Sequence, residues 1–129
     1  MRLSTRYGLV GMAALALLSS VHWVRDNHWH FGPVGTYLRG VAPNFAAAIA
    51  ISFVLLSIWT DRQRDDGFVA LRLRFLVCAA ISGAGLCGWE FVQMLNNRLV
   101  FDTQDLVATL VGIAVSAGLF HAITPRRPD

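Results

Sequence analysis

The chain has little charge, little cysteine and no lysine, and each shortage narrows what the protein can be. Charged residues make up 15% of the 129 residues, whereas apolar residues make up 55%. Water-soluble domains of this length rarely have such a composition, but membrane proteins do. The low charge therefore argues against a soluble domain.

The cysteine content also excludes several kinds of site. Cys78 and Cys87 lie nine residues apart in one apolar run, about 13 Å along a helix axis, which is too far for a disulfide between them. The chain has no CxxC and no Cys/His spacing typical of a metal site. It also lacks an internal repeat, a phosphate-binding glycine loop and a Ser/His/Asp spacing. We expect no metal and no other cofactor, and we interpret both cysteines as small packing residues.

Four long apolar runs are what the chain does contain. A helix needs about 20 mostly apolar residues to cross about 30 Å of hydrocarbon, and its backbone must be helical because lipid offers no hydrogen-bond partners. The runs cover residues 7–24, 41–59, 75–95 and 106–123. The sequence therefore predicts an all-α polytopic membrane protein, with residues 1–129 forming a single domain that is a small bundle of four transmembrane helices.

The basic residues, all eleven of them arginine, are distributed unequally between the connections. Eight lie before the first run, between the second and third, or after the fourth, and three lie in the other two connections. Because the arginines are divided among these segments, they do not form the single basic patch that nucleic-acid binding needs, and we expect no nucleic-acid partner. The positive-inside rule predicts that both termini are cytoplasmic, and we expect the protein in the inner (cytoplasmic) membrane. The eight are Arg2, Arg6, Arg62, Arg64, Arg72, Arg74, Arg126 and Arg127, and the three are Arg25, Arg39 and Arg98.

The N-terminal run has an alternative interpretation as a secretory signal peptide, because Arg2 and Arg6 precede an apolar stretch. The run continues to Val24 without a small-x-small cleavage site after it. We therefore favour a retained first span.

Two connecting segments have recognisable character. Residues 25–40 contain three glycines and Pro33, which predicts an interfacial surface loop. Pro43 would open the second span, where its missing N–H does no harm. Residues 60–74 combine alternating charges with a basic, apolar-interleaved stretch, which we expect to lie against anionic headgroups.

Polar residues interrupt the apolar pattern where the third run ends and the fourth begins. An ionisable group at membrane depth costs at least a few kcal/mol and is a functional candidate by default. The candidate ligand-binding residues are Glu90, Gln93, Arg98, Asp102 and Asp105, with Asn44 as a further contributor.

Helical geometry, at about 100° per residue, gathers these residues into two faces. Glu90 and Gln93 share a face of the third helix with small residues such as Gly83. Asp105 shares a face of the fourth helix with three further small or polar residues. We expect the two faces to meet, because small residues allow close helix packing in lipid and polar side chains hydrogen-bond across the seam. The packing residues are Gly83, Thr109, Gly112 and Ser116.

Arg98 lies in the predicted hairpin between the carboxylates. Its planar fork suits bidentate pairing with Glu90, Asp102 or Asp105, or reception of an external phosphate or carboxylate. Asp102 and Asp105 also fit a plain capping role at the start of the fourth helix. Glu90 needs no such role inside an apolar run, and we favour a function for it.

Four histidines need separate interpretation. His22, His28 and His30 form a HxxxxxHxH pattern, which resembles no strong zinc spacing. Interfacial histidines beside tryptophans explain them better than a metal cluster or a pH-sensitive loop. His121 falls on the opposite face from Asp105, and we interpret it as structural.

At the polar residues around the end of the third run and the start of the fourth, the sequence resembles the VanZ-like family of small bacterial membrane proteins. The family signature is Glu-x-x-Gln, then an Arg, then Asp-x-x-Asp before a Gly. The chain is similar to this signature over its C-terminal third. Two positions depart, because Thr109 stands where the family usually has Asn, and residues 42–45 replace a Lys/His-containing motif. The resemblance implies an envelope setting, of the kind seen in glycopeptide resistance clusters. The matching residues are Glu90, Gln93, Arg98, Asp102, Asp105 and Gly112.

We expect a non-enzymatic membrane protein whose outward acidic and arginine pocket binds an envelope lipid or cell-wall precursor. The first alternative is an enzyme with Glu90 as general acid or base, Asp105 orienting it and Arg98 clamping a phosphate. The second is proton-coupled transport, for which one buried carboxylate is a poor pathway in a monomer. Membrane lipids are the expected partners, and the small-residue faces are compatible with a homo-oligomer.

Overall fold

The structure, a computed structural model, describes residues 1–29, 32–63, 67–96 and 103–126. These residues form four helices and no strand: α1 (Leu3–Asp26), α2 (Gly32–Arg62), α3 (Phe68–Leu95) and α4 (Thr103–Ile123). All four helices are long and apolar enough to cross a membrane. The predicted all-α, four-span architecture is confirmed, and the chain is a multi-pass membrane protein.

The second helix is longer than its apolar run predicts. It begins at Gly32, which has a φ of +78°, and Pro33 then occupies the first turn, where no N–H is needed. The prediction that residues 25–40 form a loop is therefore wrong from Gly32 onward. Pro43 lies inside α2 instead of opening it, and it removes the helical hydrogen bond to the carbonyl of Arg39.

The third helix also begins earlier than predicted. It starts at Phe68, so the basic stretch before residue 75 forms its first two turns. Leu71 and Arg74 are buried, whereas Arg72 and Leu73 are exposed. Only part of this stretch is therefore available to headgroups.

Helix α2 is the central element, because the other three helices all pack against it. Helix α1 runs antiparallel to it, with a Cβ built at Gly11 lying 2.8 Å from Val54 Cγ2. Near the start of α1, the Ser57 hydroxyl of α2 donates to the carbonyl of Ser4 at 2.8 Å. Glycine at position 11 thus lets the two backbones approach closely.

Large aromatic side chains fill the core at one end, which we call the Tyr7 end, where α1 begins and α4 finishes. Each helix contributes one fully buried ring: Tyr7, Phe53, Phe75 and Phe120. Phe75 and Phe120 stack with centroids 4.7 Å apart, and the other rings pack around them at about 6 Å. The Tyr7 hydroxyl also hydrogen-bonds the Thr124 hydroxyl at 2.7 Å.

The opposite end, which we call the Glu90 end, has a core of small residues. The buried residues of α2 nearest to Pro43 are Ala46 and Ala48, and α3 and α4 present serine, threonine and glycine to them. Such residues pack by close approach of backbones instead of by filling volume. The bundle is therefore tightly filled by rings at one end and narrow at the other.

Candidate functional site

Glu90 is the most deeply buried acidic or basic side chain in the described part of the chain, with 2% of its surface exposed. It lies near the end of α3, and both of its chain neighbours, Trp89 and Phe91, are exposed. The apolar neighbours therefore face lipid while the carboxyl faces the bundle interior. Glu90 is also the only glutamate of the chain.

Helix α4 brings its polar face to the same interior. Thr109 and Ser116 are almost fully buried, and Asp105 is half-buried in the first turn. The Thr109 hydroxyl donates to the carbonyl of Asp105 at 2.9 Å, and the Ser116 hydroxyl donates to the carbonyl of Gly112 at 2.8 Å. Both hydroxyls are therefore hydrogen-bonded within their own helix.

The two polar faces converge on Ala48 of α2. The Ser82 hydroxyl of α3 donates to the Ala48 carbonyl at 3.0 Å, and Ser52 donates to the same carbonyl at 2.8 Å. From α4, a Cβ built at Gly112 would lie 2.8 Å from Ala48 Cβ and 2.7 Å from the carbonyl oxygen of Phe45. The polar faces of α3 and α4 thus both contact α2 at Ala48.

This shared level fixes where the carboxylates lie along the bundle. Glu90 is eight residues beyond Ser82, or about 12 Å along α3, and Asp105 is seven residues before Gly112, or about 10 Å along α4. Both displacements run toward the Glu90 end. Glu90 and Asp105 therefore lie at nearly the same level of the bundle.

Asn44 belongs to the same region. It precedes Ala48 by four residues, which places it on the same face of α2, one turn closer to the Glu90 end. Asn44 is half-buried, and so is Gln93, one turn beyond Glu90 on α3. The structure thus brings side chains from α2, α3 and α4 toward one end of the narrow half. Glu90 and Asp105 each engage neighbouring groups there.

One further contact at this end was not expected from the sequence. The Tyr37 hydroxyl donates to Gln104 Oε1 at 2.8 Å, joining the start of α2 to the first turn of α4. The sequence pattern indicated an interfacial Tyr37 in a loop, so this bond depends on the helical extension of α2. It holds the first turn of α4, and with it Asp105, beside α2.

The structure does not bring every residue singled out by the sequence to this site. Arg98 and Asp102 lie outside the described residues, as does His30. Gly83, predicted to allow close packing, has no atom within 4 Å of a Cβ built on it among the described residues, so it does not lie at a close approach like Gly112.

The remaining histidines and cysteines form no metal-binding group in the described part of the chain. His22 and His121 each contact a carbonyl of their own helix through Nδ1, at 2.9 and 2.7 Å, and both are exposed. Cys78 is buried and Cys87 half-buried, each with a free thiol. Within the described ranges, no three His, Cys, Asp or Glu side chains are grouped so that they could hold a metal ion.

Sequence reasoning missed the burial of Arg74 at the Tyr7 end. This side chain is 7% exposed, donates from Nη2 to Gln63 Oε1 and lies 5.9 Å from the centroid of the Trp59 ring. A cation over an aromatic face is attractive, more so when desolvated. The helical spacing of Leu71, Arg74, Phe75 and Cys78, which are all buried, is the signal that was available.

Comparison with protein-family models finds no match, and comparisons with curated proteins and with solved structures find none either.

Proposed function

We propose that this protein binds a polar envelope component at the Glu90 end, either a lipid headgroup or a cell-wall precursor, and does so without catalysing a reaction. The observation that carries the proposal is the burial of Glu90 at the level of Asp105, in the half of the bundle where most buried side chains are small. A buried carboxylate inside an apolar helix is costly and is a functional candidate by default.

The polar side chains at this end suit a headgroup that carries anionic groups together with hydroxyl or amine groups. Carboxylates at Glu90 and Asp105 accept hydrogen bonds, and amides at Asn44 and Gln93 both accept and donate them. Arg98 and Asp102, which lie outside the described residues, are part of the proposed binding set by sequence. Arg98 would receive a phosphate or carboxylate through bidentate contacts.

The hydroxyls near the site favour binding over nucleophilic chemistry. A serine or threonine nucleophile is activated by an adjacent general base. Ser82, Thr109 and Ser116 instead donate to main-chain carbonyls. This leaves Glu90 as general acid or base toward a lipid-linked substrate as the enzymatic alternative.

The aromatic end of the bundle argues against the transport alternative in a single copy. Tyr7, Phe53, Phe75 and Phe120 fill the core between the Glu90 end and the opposite face. Proton pathways through membranes use chains of polar and ionisable side chains, and this ring cluster interposes an apolar layer instead. Access to Glu90 is therefore proposed from its own end only.

The cellular setting is part of the same proposal. The arginine distribution supports an inner membrane with the Glu90 end outward. The resemblance to the VanZ-like family supports an envelope role and a link to glycopeptide tolerance. A homo-oligomer is compatible with this arrangement.

The experiment that tests the proposal is native mass spectrometry of the detergent-purified protein with its co-purified lipids. The variants are Glu90→Gln, Asp105→Asn and Arg98→Gln. Asp26→Asn is the matched control, because Asp26 ends α1 and is exposed. We expect a retained lipid or precursor in the wild type and the control, and its loss in Glu90→Gln, because the amide replaces the carboxyl group with little change of shape.

Two outcomes would contradict the proposal. Equal retention in wild type and Glu90→Gln, with circular dichroism showing both folded, would reduce the site to a polar helix seam. Release of a chemically altered lipid by the wild type but not by Glu90→Gln would favour the enzymatic alternative.

A further inference from the structure

A groove of about 200 Å³ lies between α1 and α2, on a side of α2 to which α3 and α4 contribute no lining residue. Two of its six lining residues are polar, and the rest are apolar. The lining residues are Ser20, Val21 and Val24 from α1 and Leu38, Arg39 and Ala42 from α2. The exposed wall of the groove is almost wholly apolar, so Arg39 contributes its aliphatic stem to it.

The guanidinium of Arg39 is held beside the groove and not inside it. Its Nη1 donates to the carbonyl of Trp29 at 2.7 Å, which ties the side chain to the connection between α1 and α2. Arg39 is half-buried. An arginine fork carries several further N–H donors and matches the oxygen geometry of a phosphate.

Tryptophans mark the depth of Arg39 in the membrane. Trp23 and Trp29 pack edge to face with centroids 5.4 Å apart, and both rings are exposed. Exposed tryptophans in membrane proteins concentrate at the headgroup level. Arg39 is therefore at the membrane interface, because it bonds the main chain of Trp29.

The apolar part of the groove extends from that level toward the hydrocarbon. Val21 lies one turn of α1 before Val24, and Ala42 lies one turn of α2 after Leu38, so both residues are further from the end of the bundle. An amphiphile with an anionic head and an apolar tail matches this order of surfaces. Its head would meet Arg39, and its tail would follow Val24, Val21 and Ala42.

We propose that this groove binds one anionic glycerophospholipid, with its phosphate on Arg39 and one acyl chain between α1 and α2. The site uses none of the residues assigned to the Glu90 end, so it stands or falls separately from the proposed function. Bound there, the lipid would join α1 to α2 at the end opposite to the Tyr7 contacts.

The test titrates phosphatidylglycerol into the detergent-solubilised full chain and counts bound lipids by native mass spectrometry, with phosphatidylcholine as the zwitterionic reference. Arg39→Gln should weaken phosphatidylglycerol binding roughly tenfold, the scale of one charge-assisted hydrogen bond. Arg25→Gln is the matched control, because Arg25 is exposed in the last turn of α1 and does not line the groove. We expect wild-type affinity for it.

A second variant tests the acyl-chain half of the groove without changing charge. Ala42→Leu adds bulk to the groove and should also reduce binding. Unaltered binding by Arg39→Gln would overturn the proposal, and so would equal weakening by Arg39→Gln and Arg25→Gln, because that result means general attraction to basic residues. If Arg39→Gln does not fold, unaltered binding by Ala42→Leu overturns the proposal on its own.

Discussion

The glycines of α3 and α4 differ in whether their neighbours require the missing side chain. At Gly112 the missing side chain lets α4 approach α2, since an added Cβ would fall 2.7 Å from the Phe45 carbonyl oxygen. At Gly83, Gly85 and Gly88 an added Cβ would have no described neighbour within 4 Å. The same residue type is therefore required on α4 and dispensable for packing within this chain on α3.

We expect Gly112→Ala to destabilise the protein by about 1–3 kcal/mol, the usual cost of forcing an atom into a well-packed seam. The matched change Gly85→Ala should be neutral or stabilising by up to about 1 kcal/mol, because alanine is the better helix former. Equilibrium unfolding in increasing SDS, followed by circular dichroism, measures both. Equal stability of the two variants would contradict the close approach of α4 to α2.

The helical period of the sequence predicts which side chains face inward better than it predicts what they meet. Glu90, Thr109, Gly112 and Ser116 are all buried. The residue of α2 on which the two faces converge could not be predicted, because nothing in an alanine run marks one of its members as a contact. At Ala48, the Ser52 and Ser82 hydroxyls bond the main-chain carbonyl and Gly112 approaches the side chain, and a carbonyl leaves no trace in a sequence.

At the scale of elements, α1 depends on α2 along its length and on α4 at one point. That point is the buried hydrogen bond between the hydroxyls of Tyr7 and Thr124, which are 117 residues apart. The Tyr7 ring also packs on Phe53 and Phe120. A single side chain thus joins the first helix to the last.

Removing this hydrogen bond tests the placement of α1. Tyr7→Phe and Thr124→Val each keep the side-chain shape, and their double-mutant cycle should give a coupling of about 0.6–1.7 kcal/mol, the range found for hydrogen bonds between membrane helices. Ser20→Ala is the control, because Ser20 bonds only within α1, to the carbonyl of Ala16. Additive effects of the two variants on SDS unfolding would mean that α1 and α4 are not joined there.

Apolar runs predict the number of helices but not their ends. The runs stop where polar residues begin, whereas helices continue as long as backbone hydrogen bonds can form. Helix α2 continues to Gly32 because Pro33 falls in its first turn, and the glycines that suggested a loop cost only about 1 kcal/mol each in a helix. The added turns of α2 carry Tyr37 and Arg39, so both of their contacts were beyond sequence prediction.

At the scale of the whole molecule, the two ends of the bundle differ in how they exclude water. The Tyr7 end is closed by stacked rings, and the Glu90 end has small side chains and buried polar groups. An entering ligand would displace little packing at the Glu90 end but would have to break aromatic contacts at the Tyr7 end. The direction in which the Glu90 end faces therefore decides whether its ligand comes from the envelope or from the cytoplasm.

The arginine distribution predicts that direction, because eight of the eleven arginines occur in the sequence before the first apolar run, between the second and third, or after the fourth, and cytoplasmic loops carry the excess of basic residues. We expect a C-terminal green fluorescent protein fusion to fluoresce and a C-terminal alkaline phosphatase fusion to be inactive. A phosphatase fused after Asn27, in the connection between α1 and α2, should be active. The opposite pattern would turn the Glu90 end toward the cytoplasm, and the ligand of Glu90 would then have to be a cytoplasmic or inner-leaflet molecule.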